Sequence, residues 1–191
     1  IGPEAIKSRV TLPLEGVKIA TYYGCLMSRP ADVMQFDDPE NPTAMDKIME
    51  ALGAEVVDFP LKTECCGAAM GVARQDVTGS LSGRILSTAR AFGADAVVTA
   101  CPLCHMNLDL RQGQAERQMR LKFRLPVFYY TQLMGLAFGL PDDTLKLDKL
   151  AVDPAPFLQL VAKRRKARID AAAEAARAAM GKAESEEGAA S

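Results

Sequence analysis

Four short apolar runs stand out along the chain: Val17 to Tyr23, Ala54 to Phe59, Ala94 to Ala100 and Pro126 to Tyr130. They are rich in β-branched or aromatic residues and bounded by glycine or proline, which predicts buried strands. Between them, apolar positions recur at helical spacing. Met45, Ile48, Met49 and Leu52 share one face of the segment Thr43 to Leu52, and Leu81, Ile85, Leu86, Ala89 and Phe92 do so from Val77 to Phe92. A glycine follows each segment, Gly53 and Gly93, at the position where a helix end turns left-handed. A further helix is expected from Pro102 to about Met119, with Gly113 weakening its far half. Strand–helix–strand alternation with connections of this length predicts an α/β fold. The expected sheet is open, mostly parallel and about four strands wide, with helices on both faces.

After Pro154 the pattern changes. Phe157 to Val161 is apolar, Lys163 to Lys166 is basic, and Ala171 to Ala190 is mostly alanine with scattered charges. The chain therefore divides into a linker or extension (1–15), one cysteine-rich domain (16–153) and an Ala-rich, partly basic tail (154–191). The tail is either a solvated helix, frayed or disordered for want of apolar residues to bury, or a basic segment that docks on a partner or a membrane surface. A total of 191 residues suits such a domain plus an appendage. With 23 Lys+Arg against 24 Asp+Glu, the charge excludes a strongly basic nucleic-acid binder, so no nucleic-acid partner is expected. The longest nearly apolar run, Leu125 to Leu140, is short for a membrane span and contains Pro126, Thr131 and Gln132. The start carries no secretory pattern, and an opening Ile1 suggests a piece of a longer chain.

The five cysteines change the picture most: Cys25, the adjacent Cys65 and Cys66, then Cys101 and Cys104. Each group follows a predicted strand. In a parallel sheet the strand C-termini share one edge, where open α/β folds bind ligands, so all five sulfurs are expected at one site. Pro102 suits the first position of a helix, making Cys101 its N-cap and placing Cys104 in the first turn. There the helix dipole is expected to lower the Cys104 thiol pKa. Gly24 and Gly67 are expected to let backbone pass close to a bulky cofactor, and Cys65 and Cys66 must sit on a turn to share a ligand. Structural disulfides would leave one cysteine over. A Cys-x-x-Cys redox pair leaves three thiols without a role, and a four-cysteine zinc site leaves one sulfur spare. An iron–sulfur centre accepts all-thiolate ligation. Iron–sulfur, zinc and metal-free redox chemistry all stay open on spacing alone.

The motif set Gly24-Cys25, Cys65-Cys66-Gly67 and Cys101-Pro102-Leu103-Cys104 closely resembles the cysteine-rich CCG domain of the B subunit of heterodisulfide reductase. The likeness extends to Tyr22-Tyr23-Gly24-Cys25, Arg29-Pro30, Asp38 to Pro42, Lys62 to Gly67 and Asn107-Leu108-Asp109. The resemblance implies a noncubane [4Fe-4S] cluster held by Cys25, Cys65, Cys66, Cys101 and Cys104. It also implies a second CCG domain completing a site for a small disulfide, which is reduced or formed with iron as the sulfur-binding Lewis acid. The chain then looks like the C-terminal half of a two-domain subunit, or a single-domain relative needing a partner. Electrons would come from an iron–sulfur subunit like the cubane-cluster subunit of that complex, fed by a flavin subunit like the one that complex carries. The implied location is cytoplasmic, or at the inner face of the membrane. Related domains also occur in membrane-attachment subunits of succinate:quinone reductases, and some relatives carry zinc. No protein nucleophile is needed. His105 is a candidate hydrogen-bond donor beside the centre or a locally bonded helix residue, and Arg29 a candidate contact to an anionic substrate or a surface ion pair. Thr131 and Gln132 are candidate lining residues of the same edge, while Tyr22 and Tyr23 are expected to pack.

Overall fold

The run opening at Val17 becomes strand β1, Lys18–Tyr22, and its alternate side chains enter two separate cores. Ile19 points into one core with Ala96, Val98 and Phe128, while Ala20 and Tyr22 point into the other with Val97 and Val127. A strand covered on both faces reads as a continuous apolar run, which is why the pattern was legible. In the computed structural model, which describes residues 2–189 and side chains as far as residue 175, the sheet has four strands. The others are β2 (Glu55–Val56), β3 (Ala96–Thr99) and β4 (Val127–Tyr129). Every pairing is parallel and the order is β2-β1-β3-β4. The chain thus winds outward from β1 to β2, then crosses back to β3 on the other side. That reversal leaves a crevice between the C-terminal ends of β1 and β3, where open α/β sheets take their ligands.

One strand is shorter than its apolar run predicts. Of Ala54 to Phe59 only two residues pair, because the Phe59 N–H turns back onto the Val57 carbonyl at 3.0 Å and Pro60 has no N–H to offer.

The first core is covered by α1 (Pro3–Lys7), α3 (Ala44–Ala51), α7 (Tyr130–Ala137), α8 (Asp142–Leu145) and the start of α9 (Ala155–Ala189). The second is covered by α4 (Gln75–Ala91) and α6 (Gln112–Met119). A short α2 (Ala31–Met34) lies in the loop after β1, and α5 (Pro102–His105) follows β3. The single helix expected from Pro102 to Met119 is three pieces. A π-helical turn, Met106–Leu110, separates α5 from α6, and the Arg111 N–H reaches back to the Met106 carbonyl at 3.3 Å. Gly113 is not the break; it lies inside α6. The wide turn buries Asn107, Leu108 and Asp109 in succession, and the Asp109 carboxylate accepts the N–H groups of Ala151 (2.7 Å) and Val152 (3.1 Å).

The flanking segments pack on the same body. Thr11 and Leu12 N–H groups both bond the Ala137 carbonyl, and Leu14 is fully buried. On α9, Phe157 and Val161 are core residues, with the Phe157 ring 5.0 Å from Phe128. Arg165 of the basic run donates to the Leu12 carbonyl at 3.3 Å, and Arg168 pairs with Glu15. Helix continues through the alanine-rich stretch to Ala189; its side chains beyond residue 175, and residues 190 and 191, lie outside the described set. Among the described residues, no helix is long and apolar enough to cross a membrane. Phe157→Ala is expected to lower unfolding free energy by about 3–5 kcal/mol, the usual cost of emptying a buried phenylalanine site. A denaturant titration with unchanged slope checks it. A truncation that tests docking by the tail must therefore begin beyond Val161.

Candidate functional site

β1 ends at Tyr22, and the next two N–H groups, of Tyr23 and Gly24, both bond the Lys62 carbonyl at 2.8 and 3.0 Å. This ties the segment carrying Cys25 to the loop carrying Cys65 and Cys66. Gly24 adopts a left-handed φ of +69°, and a Cβ there would stand 2.9 Å from Cys104 Sγ, so no side chain fits between these cysteines. Gly67 has φ +77°, but its constraint comes from elsewhere: a Cβ would lie 3.1 Å from Thr78 Cα on α4. Helix packing against α4 and the left-handed backbone both require a glycine at Gly67. Cys65 and Cys66 do sit in an irregular turn, directly before a 3-10 turn at Ala68–Met70. Cys101 caps α5 with Pro102 at its first position, and Cys104 is buried in that turn.

All five cysteines line one cavity of about 410 Å³, together with Leu26, Ala68, Ala69 and Leu103. Every side-chain heteroatom on that lining is sulfur. Cys66 and Cys104 form the buried floor, Cys25 and Cys101 are half-buried, and Cys65 is exposed at the rim; all five are free thiols. The sulfurs surround a space rather than a point. Among the described residues, no three Cys, His, Asp or Glu side chains are gathered closely enough for a single metal ion.

Electrostatics distinguish the two floor cysteines. Their sulfurs are 3.6 Å apart. The Cys66 thiol is drawn down to about 6, first by its hydrogen bond with Cys104, against burial, with help from Asn107 and the Ala68 N–H. Cys104 is pushed up by its bond to Cys66 and by burial. The thiol expected to be acidified by the helix dipole is therefore the one that keeps its proton. A four-residue helix gathers little dipole, and a thiolate next door outweighs it. Burial, then the Cys65 charge, pushes Cys25 up.

Neighbouring residues fall into two groups. Tyr22, expected only to pack, is in electrostatic contact with four cysteines, and its hydroxyl donates to the Glu64 carbonyl at 2.6 Å. Asn107 donates to the Cys66 carbonyl (3.2 Å) and to its sulfur (3.6 Å). Helical periodicity did not single out Asn107, because the π turn sets which way it points. Thr99, fully buried at the end of β3 opposite Tyr22, has a hydroxyl without a partner. The candidates other than the cysteines, His105, Arg29, Thr131 and Gln132, do not line the cavity. His105 bonds the Val127 carbonyl at 3.0 Å and stacks on Tyr129 at 4.2 Å, fastening α5 to β4; burial holds its pKa low. Arg29 pairs with Glu40 at 2.8 Å and reaches Thr63 at 3.4 Å. Gln132 caps α7 by accepting the Tyr129 N–H at 2.9 Å, and Thr131 is exposed; neither lines the cavity.

Comparison with known proteins adds a lineage to this geometry. The profile of the CCG cysteine-rich domain family matches residues 19–109. The 8-methylmenaquinol:fumarate reductase membrane anchor subunit of Wolinella succinogenes is 39% identical over 150 residues, covering 78% of this chain and 53% of that protein. The B subunit of the ferredoxin/F(420)H(2)-dependent CoB-CoM heterodisulfide reductase of Methanosarcina acetivorans is 36% identical over 160 residues, covering 83% and 53%. The chain spans about half the length of the curated relatives it matches. A crystal structure of a hypothetical protein from Helicobacter pylori shares the fold alone: TM-score 0.60, 12% identity, 78% of this chain and 28% of that one.

Proposed function

The chain belongs to the CCG cysteine-rich domain family, alongside the B subunits of heterodisulfide reductases, and from that premise we propose that it is an iron–sulfur module of a multi-subunit oxidoreductase. Cys25, Cys65, Cys66, Cys101 and Cys104 are the proposed ligands of a noncubane [4Fe-4S] cluster. The observation that carries this is the single sulfur-lined cavity at the crevice between β1 and β3. The donor chemistry fits: five thiols, no competing nitrogen or carboxylate on the lining, and a glycine where a side chain would intrude. Five sulfurs with no three gathered round one point suit a polynuclear centre better than a four-coordinate zinc, which would leave one sulfur spare.

When bound, such a centre would supply electrons, and an iron able to accept a sulfur ligand, to a small disulfide. Reduction takes two electrons and two protons and releases two thiols; formation of the disulfide is the reverse. The chain's own part is to hold the sulfurs, and to keep water from the floor with Leu26, Leu103, Ala68 and Ala69. The proposed partners are a second CCG domain, an iron–sulfur subunit and a flavin subunit. A second reading, electron transfer or anchoring at a membrane, is favoured by the Wolinella relative.

Anaerobic purification with metal and sulfide analysis tests the assignment. The expected result is a coloured protein with iron and acid-labile sulfide in near-equal amounts. A colourless protein with one zinc and no sulfide would overturn it. In the loaded protein, a spectrum that changes when thiols are added supports sulfur chemistry; an unchanged one favours the anchoring role.

A further inference from the structure

Asn107 is fully buried in the π turn with its amide between two partners. Its Oδ1 accepts from Arg111 Nη1 at 2.7 Å, and its Nδ2 faces the Cys66 carbonyl at 3.2 Å and the Cys66 sulfur at 3.6 Å. A guanidinium only donates, so Arg111 admits the oxygen of the amide and not its nitrogen. The amide nitrogen is thereby turned toward Cys66. The guanidinium in turn lies where Gly71, just past the 3-10 turn after the cysteine pair, has no side chain; a Cβ at Gly71 would fall on Arg111 Nη1. The π turn makes this line-up possible by inserting an extra residue between Cys104 and Arg111.

Granted the iron–sulfur assignment above, we propose that Arg111 is a positioning residue that, by orienting Asn107, keeps a hydrogen bond on the Cys66 sulfur and raises the midpoint potential of the centre. Reduction adds negative charge to a thiolate-ligated centre. A donor on a ligand sulfur therefore stabilises the reduced form more than the oxidised one.

Two variants remove the effect by different routes. Arg111→Met deletes the donor and keeps the stem. Gly71→Ala keeps Arg111 but displaces its guanidinium, at small structural cost, since Gly71 has an ordinary right-handed conformation (φ −59°) and the obstructing atom ends a flexible side chain. Redox titration followed by electron paramagnetic resonance is the readout, in samples with measured iron and sulfide. At the wild-type midpoint, each variant is expected to lower the reduced-to-oxidised ratio about tenfold, a shift of ~59 mV to more negative potential for one electron. The double variant should shift no further than Arg111→Met alone, because both changes cut one connection. Fully loaded variants with the wild-type potential overturn the proposal. So does an unshifted, loaded Gly71→Ala beside an Arg111→Met that fails to load, since Arg111 would then support the fold and not the amide. Wild-type protein without iron and sulfide fails the parent assignment first, and takes this inference with it.

Discussion

Cys66→Ala is expected to purify with little of the wild-type iron and acid-labile sulfide, whereas Cys65→Ala retains a larger share. The two residues are adjacent, but their surroundings differ. Cys66 is buried on the cavity floor beside Cys104, whose hydrogen bond draws its thiol down. Its main-chain carbonyl is also held, by Ser82 Oγ at 3.0 Å and by Asn107 at 3.2 Å. Cys65 is exposed at the rim, and its sulfur accepts the Gly67 N–H at 3.3 Å. Loss of an outer partner of a ligand costs about 10–100-fold in metal affinity, so loss of Cys66, on the proposed ligation, should reach at least the upper part of that range. Iron and sulfide per chain after anaerobic reconstitution give the measure, with the denaturation midpoint of the metal-free variant as the control for folding. Equal loading of the two variants would show that burial does not rank these ligands.

Asp46→Ala is expected to lower unfolding free energy by about 3–5 kcal/mol, and to impair cluster loading although Asp46 is not on the cavity. Its Oδ1 accepts from Thr21 Oγ1 (2.6 Å) and from the Tyr23 hydroxyl (2.7 Å), and its Oδ2 pairs with Lys62 Nζ at 3.2 Å. The paired side chains are only 11% and 14% exposed, so removal of the carboxylate strands a cation in the interior. The Tyr23 hydroxyl also accepts the N–H groups of Met45 and Asp46, so it closes the start of α3. Because the Lys62 carbonyl holds Tyr23 and Gly24, a disordered Lys62 would loosen the Cys25 and Cys65 segments together. The double change Asp46→Leu with Lys62→Met should recover part of the lost stability, because it removes the stranded cation, while the Thr21 and Tyr23 hydroxyls still lose their acceptor. Denaturant midpoints of the single and double variants check this. A single variant within about 1 kcal/mol of wild type would show the pair to be solvated.

The fold and the site were legible to different depths. Val17 to Tyr23 and Ala94 to Ala100 are buried on both faces, so composition alone marks them. The strand–helix alternation then requires parallel pairing. From that follows the placing of five cysteines at one edge, and all five line one cavity. The run Ala54 to Phe59 overstated its strand, because a local turn at Phe59 competes with pairing. His105 and Arg29 each carried two readings, a contact beside the cysteines or a local bond. In space the local bonds are present: His105 meets the Val127 carbonyl and Arg29 pairs with Glu40, partners that adjacency to a cysteine does not reveal.

Periodicity and cysteine spacing, by themselves, determined the class of fold, the sheet edge where the cysteines gather and the set of sulfurs that line one cavity. Those properties depend on which residues must be buried and how far a chain travels between strands, both of which are local. Tertiary structure alone decided that Cys66 and Cys104 face each other, that Gly67 packs against α4, and that Asn107, held by Arg111, reaches Cys66. Each of those rests on groups far apart in sequence: Cys66 against Cys104, Gly67 against Thr78, Asn107 against Cys66. Hydrogen bonds and close contacts act over a few ångströms, and only the folded chain brings such partners within that reach.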